Sequence, residues 1–209
     1  MSTLIIDSQY FGTIDYIFTL FQNRYMEIEQ FDSYQKMGFR NRCVVAGSNG
    51  LVNLTVPLER GRDGQQLMRD VRVSYGGRWQ QEQIRTVESC YSRAPYFEYF
   101  RDDVRRHLES REPFLLQRNM IILEWLKSVF KMSGTIALTT EYRSEYPPEV
   151  IDHRNLSRPK NYLLRDTGIR YTQVFEDRIG FQPNLSILDY LFCCGPDLKT
   201  PLKDSVLTI

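Results

Sequence analysis

The sequence predicts an α/β protein whose sheet is mixed or mostly parallel and begins with a βαβ unit. Two observations lead to this class. Short apolar runs bounded by turn residues predict buried strands, and in the middle of the chain the apolar spacing changes from two residues to about 3.6 residues, which predicts helices. The expected architecture is three-layer-like, with an inserted hairpin and a helical middle segment.

The amino-terminal βαβ unit rests on adjacent segments. Residues 3–6 form an apolar run that suits a buried strand, and residues 25–29 alternate like a second strand. Between them, Thr13 is a candidate helix N-cap. The apolar positions at helical spacing after this cap are Ile14, Ile17, Phe18 and Phe21. Because ligands of such units bind beyond the carboxyl ends of the strands, we expect a binding site at the loop 8–13.

A hairpin should follow the βαβ unit. Residues 43–46 and 51–56 read as strands on either side of Asn49-Gly50, a dipeptide typical of tight hairpin turns. Residues 70–75 alternate between apolar and polar side chains and predict another strand. The helical middle segment then contains three expected helices, one from Trp79 to before Pro95, one at about 96–108 and one at about 114–131.

The carboxyl-terminal third is less regular. We expect a short strand at 136–138, a long polar loop at 143–168, a last strand at 170–175 and a short helix at 186–194. Loops as long as the one at 143–168 are uncommon in compact domains and often carry function. No composition shift divides the chain, so one domain over residues 1–209 is expected.

Composition excludes several classes of protein. A hydrophobic fraction of 42% and an aromatic fraction of 13% can form a continuous core, and the net charge of +1 gives no field that would attract nucleic acid. The first residues lack the basic region of a signal peptide, and no apolar run is long enough to span a membrane. We therefore expect a cytoplasmic protein that neither binds nucleic acid nor spans a membrane.

The cysteines and histidines give no sign of a metal centre. The four cysteines have no metal-ligand spacing, and the chain contains only two histidines, His107 and His153. The opening turn also lacks the glycine pattern of a dinucleotide-binding loop or a P-loop. We expect reduced, buried thiols, no metal and no cofactor.

A series of short motifs, none very specific alone, resembles the WbqC-like protein family through its order. The opening strand and turn are similar to the start of that family, in which a Gln-Pro-aromatic-aromatic-Pro turn leads into a helix. Gln9 is kept, whereas Tyr10 stands at the first proline and Gly12 or Thr13 at the second. The other stretches that carry the likeness are 34–43, 54–58, 70–73 with Trp79, 91–97, 171–175 and 180–189. The last two are similar to Bacteroidetes-type members.

The resemblance implies a role rather than a reaction. WbqC-like proteins occur among genes for O-antigen and other surface polysaccharides, so a role in polysaccharide biosynthesis is implied. Transfer chemistry on an activated sugar or acyl donor fits that role, and would make the protein a transferase. The alternative is a non-catalytic interaction or scaffold protein of the same pathway, and a homodimer is compatible with both.

A basic cluster is the first candidate binding site. Arginine makes up 21 of the 27 basic residues, and its planar guanidinium suits carboxylate and phosphate. In an extended segment Arg40 and Arg42 would share a face, so that two guanidinium groups could bind one anionic group of a nucleotide sugar or acyl donor. The cluster consists of Lys36, Arg40, Asn41 and Arg42. Ion pairs to acids such as Glu27, Glu29 and Asp32 are the alternative.

Two further residues complete the candidate site. Gln9 lies in the opening turn, which can aim backbone N–H groups at an anion, although packing of the aromatic residues beside it would explain the turn equally. His153 lies in the polar loop and is the candidate catalytic residue, because an imidazole titrates near neutral pH. The alternative for His153 is a solvated loop side chain.

Overall fold

The computed structural model describes residues 2–36, 38–59, 66–155, 161–164 and 168–198. The strands are β1 (Leu4–Asp7), β2 (Tyr25–Glu29), β3 (Arg42–Gly47), β4 (Gly50–Thr55), β5 (Thr135–Leu138) and β6 (Ile151–Asp152). The helices are α1 (Ile14–Gln22), α2 (Trp79–Tyr91), α3 (Phe97–Glu109), α4 (Leu115–Val129), α5 (Glu176–Ile179) and α6 (Ile187–Cys194). Short 3₁₀ helices cover Met68–Asp70 and Tyr162–Leu164.

Four of the strands form a parallel sheet in the order β5-β2-β1-β6. The predicted α/β class and the predicted βαβ start are therefore confirmed. The chain runs from β1 to β2 and β5 on one side, and β6 returns to the other side of β1. The boundary between β1 and β6 is thus a topological switch point, the place where open parallel sheets bind their ligands. All four residues of β1 are buried, as expected for a central strand covered on both faces.

The remaining strands, β3 and β4, form the separate antiparallel hairpin that the sequence predicts. The turn lies one residue earlier than Asn49-Gly50, because Gly47 pairs with Gly50 and the two loop residues are Ser48 and Asn49. Gly50 has a φ of 127°, a backbone conformation that glycine adopts without steric cost. The other end of the hairpin follows Arg40 directly, so β3 links the turn to the basic cluster.

The predicted helical middle segment, α2 to α4, is also confirmed. Its packing depends on Arg118 of α4, whose side chain is fully buried. The guanidinium donates to the carbonyl oxygens of His107 at 2.7 Å, Leu108 at 3.1 Å and Ser110 at 2.9 Å. These carbonyls end α3, so a buried cation satisfies groups that the helix leaves unpaired and also opposes its dipole. In the described part of the chain, no helix is long and apolar enough to cross a membrane.

Two predicted strands are wrong. Residues 70–75 follow a 3₁₀ turn and make only isolated bridges, Leu58 to Val73 and Arg72 to Phe114. Their backbone groups are shared between two neighbouring segments, so no continuous ladder forms: the Val73 amide donates to Pro113, and the Ser74 amide donates to Pro57.

Residues 170–175 are also irregular. The alternation of side chains in this segment does not reflect a strand. Tyr171 and Gln173 both point toward Asp189 of α6 and donate hydrogen bonds to its carboxylate. The sequence patterns also do not predict β6 or α5. Strand β6 lies inside the polar segment 143–168, of which residues 156–160 and 165–167 lie outside the described parts.

Candidate functional site at the carboxyl edge of the parallel sheet

Three of the four parallel strands end on an acidic residue. Asp7 ends β1, Glu29 ends β2 and Asp152 ends β6. Because the strands are parallel, these carboxylates lie at one edge of the sheet, beside the switch point. Two arginines come to the same edge from different loops. We call these five residues the sheet-edge cluster; the arginines are Arg40 and Arg154.

Arg40 joins the end of β1 to two loops. Its Nη2 lies 2.8 Å from Asp32 Oδ2 and 3.3 Å from Asn155 Oδ1, and its Nε lies 3.9 Å from Asp7 Oδ2. The other carboxylate oxygen of Asp7 accepts the Asn155 amide at 2.9 Å. Burial raises the pKa of Asp7, and the charge of Arg40 together with the Asn155 amide opposes part of that rise. Asp7 is thus a buried carboxyl that binds a proton more readily than an exposed one.

Glu29 makes the second half of the cluster. Its Oε1 accepts the Phe31 amide at 2.8 Å and the Thr139 hydroxyl at 3.0 Å, which ties the ends of β2 and β5 together. Its Oε2 lies 3.5 Å from the Arg154 guanidinium, which also bonds Asp152 at 2.6 Å. Arg154 thus pairs with two acids at the sheet edge, the buried Glu29 and the partly exposed Asp152.

Arg154 also fixes the loop that follows β5. Its Nη1 donates to the Arg143 carbonyl at 2.8 Å and its Nη2 donates to the Ser144 carbonyl at 3.3 Å. The guanidinium lies over the rings of Tyr142 and Tyr146, at 5.6 Å and 5.0 Å from the centroids. Arg154, which lies two residues after the end of β6, therefore holds this loop beside the carboxyl edge of the sheet.

Several buried polar atoms at this edge have no hydrogen-bond partner among the described residues. They are Arg40 Nε, Glu29 Oε2, Asn119 Oδ1 and Tyr16 Oη. Asn119 is anchored by its Nδ2, which donates to the Arg40 carbonyl at 2.8 Å. Burial and the charge of Asp7 both raise the pKa of Tyr16, which places its hydroxyl within the field of Asp7. Arg40 Nε and Glu29 Oε2 take part in the ion pairs with Asp7 and Arg154. Folded proteins leave few buried polar atoms unsatisfied, so Asn119 Oδ1 and Tyr16 Oη are the groups here that suit a polar ligand.

The predicted site residues have different roles in the structure. Gln9 is buried, and its Oε1 accepts the Thr13 amide at 3.1 Å, so it holds the turn before α1. Asn41 donates to the Val56 carbonyl at 2.9 Å and thereby holds the open end of the hairpin. Lys36 is exposed. Gln9 and Asn41 thus bond the protein's own backbone.

The two arginines of the basic cluster lie near each other but are not equivalent. Burial raises the pKa of Tyr34 while the charges of Arg40 and Arg42 lower it, so both guanidinium groups lie near that hydroxyl. Arg40 is 3% exposed and turned toward Asp7 and Asp32, whereas Arg42 is only partly buried. The side chain of Arg40 thus forms the ion pairs that were the alternative to ligand binding, and Asp32 is one of the acids expected as a partner.

His153 lies next to the switch point. It follows β6 directly, is partly buried, and its amide donates to the Ile5 carbonyl at 2.8 Å. Two residues later, Asn155 contacts both Asp7 and Arg40. The structure therefore brings the His153 segment and Arg40 to one edge.

The amino terminus of α1 is occupied by the protein itself. The Ile14 amide donates to the Leu185 carbonyl at 2.9 Å, and the Asp15 amide donates to Asn184 Oδ1 at 2.9 Å. Thr13 Oγ1 accepts the Tyr16 amide at 3.3 Å, as its predicted capping role requires. These amides therefore serve internal packing, and the polar surface suited to a ligand lies at the sheet edge.

Sequence reasoning missed the acids of the sheet-edge cluster, and one signal could have found two of them. The two predicted strands of the βαβ unit, β1 and β2, each end on an acidic residue, Asp7 and Glu29, and the carboxyl ends of parallel strands lie at one edge of the sheet; Asp152 gives no such signal, because β6 is not predicted. Asn119 gives no such signal, since it lies on the inner face of a predicted helix. Among the described residues, no group of three or more His, Cys, Asp or Glu side chains is arranged to hold a metal ion.

Comparison with protein families gives one match. The model of the WbqC-like protein family matches residues 8–168, a range that begins directly after β1 and includes α1, β2, the hairpin, the helical segment, β5 and β6. Comparison with curated proteins and with solved structures found no similar protein.

Proposed function

The chain belongs to the WbqC-like protein family, and we propose that it transfers a group from an activated sugar or acyl donor during assembly of a surface polysaccharide. The pathway comes from the role that the family resemblance implies. The transfer chemistry is supported by one observation: charged and unpaired polar groups converge at the carboxyl edge of the sheet, beside the switch point. We also propose a cytoplasmic location, which fits the four free cysteines.

Asp7 is the proposed general base. Transfer to an acceptor hydroxyl or amine forms a bond to the acceptor atom and breaks its bond to a proton, which Asp7 would take up. The leaving group departs from the donor with the bonding electron pair. A buried carboxyl with a raised pKa suits this task better than an exposed one, and Arg40 and the Asn155 amide hold it in place. His153 is the proposed acid that returns a proton to the leaving group.

The anionic part of the donor is proposed to bind beside the hairpin. Arg42, which is partly buried, and Lys36, which is exposed, are the cations proposed to contact a phosphate or carboxylate of the donor. Gln9 and Asn41 would act indirectly by fixing the two turns that border the site. Tyr34 lies within the field of Arg42 and adds a hydroxyl on the same side.

The test is a donor screen followed by three variants. Nucleotide sugars and acyl thioesters are screened for thermal stabilisation of the native protein, and a hit is measured by calorimetry and by product formation. Asp7→Asn should keep donor affinity within about threefold and lower the transfer rate by 10²-fold or more, because it removes the base and retains the shape. Arg42→Gln should weaken donor binding by about tenfold while leaving the fold intact.

His153→Gln separates the two proton-transfer roles, since loss of the general acid should remove the alkaline limb of the pH–rate profile and loss of the general base in Asp7→Asn should remove the acidic limb. Asp102→Asn, at an exposed acid on α3, is the matched control and should have no effect. Absence of stabilisation by any donor, or full transfer activity in Asp7→Asn, would contradict the proposal.

A non-catalytic role in the same pathway is the second candidate. It is favoured by aromatic side chains exposed on and just before α3, where Tyr99 is 78% exposed and Tyr96 is 39% exposed. Such residues are enriched at protein interfaces, and a homodimer through α3 would cover them. Sedimentation of the native protein and of Tyr99→Ser tests this interface. A dimer that dissociates on this substitution, together with no stabilisation by any donor, supports the binding role over the transfer role.

A further inference from the structure

A second polar surface lies at the opposite end of the hairpin. The hairpin turn packs on α2, where a Cβ atom built at Gly47 would lie 3.8 Å from the Cys90 sulfur. Two adjoining cavities of about 550 Å³ and about 470 Å³ flank this contact, and both are lined by Ser48, Ser89 and Cys90. We call the pair of cavities the hairpin cleft. Each volume is in the range of small-molecule sites.

The hairpin cleft is lined by three arginines. Arg85 lines one cavity, and Arg93 and Arg178 line the other. None of the three has an acidic partner within 4 Å in the described part of the chain, in contrast to Arg40 and Arg154 at the sheet edge. Asp177 is the single acid that lines either cavity. The lining therefore carries three positive charges and one negative charge.

Neutral polar side chains also line the cleft, together with the apolar residues Leu51, Val52, Val174 and Phe175. The hydroxyl and amide side chains are those of Ser48, Asn49, Thr86, Ser89 and Ser92, of which the Thr86 hydroxyl donates to the Glu82 carbonyl at 2.8 Å. Guanidinium groups combined with hydroxyl donors match the oxygens of a phosphoryl group, which accept several hydrogen bonds at once. A carboxylate would use only part of this donor set, and an apolar ligand would leave all of it unpaired.

From this lining we propose that the hairpin cleft binds a phosphorylated small molecule, such as a sugar phosphate or a nucleoside diphosphate. The cleft is distinct from the sheet edge, because the six residues of β3 separate the basic cluster from the hairpin turn by roughly 17 Å. The proposal does not depend on the transfer reaction. A small ligand fits the volumes of these solvent-open cavities, whereas a chain with a net charge of +1 attracts a nucleic acid only weakly.

Calorimetry with inorganic pyrophosphate tests the proposal at low and at moderate salt. The native protein should bind pyrophosphate, and the double variant Arg93→Gln, Arg178→Gln should raise the dissociation constant by at least about tenfold. Arg24→Gln is the matched control, since Arg24 is also exposed and has no ion-pair partner in the described part of the chain; this variant should bind normally. A hexose phosphate and a nucleoside diphosphate, titrated in parallel, distinguish the two sources of the phosphoryl group.

Three outcomes would overturn the proposal. One is no binding of any of the three probes at millimolar concentration, and another is equal binding by the double variant. The third is loss of pyrophosphate binding in Arg42→Gln but not in the double variant, which would assign the anion to the basic cluster beside the sheet edge and leave the proposed transfer function standing. Circular dichroism of the double variant shows whether the fold is intact, as expected for exposed side chains.

Discussion

Two buried aspartates, Asp7 at the sheet edge and Asp189 in α6, look alike at first. Burial raises the pKa of both. Asp189 is fully buried and accepts hydrogen bonds from the Tyr91 hydroxyl at 2.8 Å, the Tyr171 hydroxyl at 2.6 Å and Gln173 Nε2 at 3.1 Å. Both of its oxygens are therefore satisfied by neutral side chains, and it has no cationic partner among the described residues.

Asp7 is placed differently. Its neighbours are a backbone amide and a guanidinium that is 3.9 Å away, and the buried atoms around it include hydrogen-bonding groups without partners. The comparison teaches that the direction of a pKa shift does not separate a structural carboxyl from a functional one. The position in the sheet and the unsatisfied neighbours make that distinction. Asp189 joins α6 to α2 and to the segment before α5, whereas Asp7 faces the switch point.

Replacing Asp189 should have the largest effect on stability. Asp189→Ala removes the acceptor of the Tyr91 and Tyr171 hydroxyls inside the protein, and we expect a loss of about 3–5 kcal/mol in the free energy of unfolding. Urea denaturation measures this loss. Asp177→Ala, at an exposed acid, should change the free energy by less than about 0.5 kcal/mol. A loss below about 1 kcal/mol in Asp189→Ala would show that the Asp189 carboxylate contributes little to the stability of the fold.

Removing the cation beside Asp7 should have the second largest effect, and it should depend on pH. Arg40→Met leaves Asp7 and Asp32 without compensation, and we expect a loss of about 3 kcal/mol at pH 7. A carboxyl whose folded pKa lies above its ordinary value of 3.8 contributes stability at low pH that is lost as the pH rises. Without Arg40 that loss is larger, so the deficit of the variant should grow between pH 4 and pH 7.

Two controls sharpen this result. Asp7→Asn in the Arg40→Met background removes the uncompensated charge and should recover about half of the lost stability or more. Arg101→Met is the matched surface control, because Arg101 also lies between two acids, 2.8 Å from Glu98 and 3.4 Å from Asp102, but is about half exposed. Its replacement should cost less than about 1 kcal/mol. A deficit in Arg40→Met that is equal at pH 4 and pH 7 would contradict the role given to Asp7.

The sequence predicts the elements that depend on local apolar spacing, but not the contacts between segments that are distant in the chain. Strands β1 and β2 and helices α1 to α4 follow from apolar spacing, because burial of those side chains decides the local structure. The pairing of Arg40 with Asp7 cannot be read in this way, since it depends on how a loop folds across a sheet edge 33 residues away in the chain. The alternation at 170–175 misleads for a related reason, because Tyr171 and Gln173 serve Asp189 and not a sheet.

The smallest expected effect compares two tyrosines by the same substitution. Tyr91→Phe removes a hydrogen bond to Asp189 and should cost about 1–2 kcal/mol. Tyr16→Phe removes a buried hydroxyl that has no partner among the described residues, so stability should stay within about 0.5 kcal/mol or rise. Urea denaturation gives both values. If the Tyr16 hydroxyl faces the proposed donor, Tyr16→Phe should weaken donor binding at unchanged stability, and Tyr91→Phe should do the reverse. Equal losses of stability would remove the distinction between the two aspartate sites.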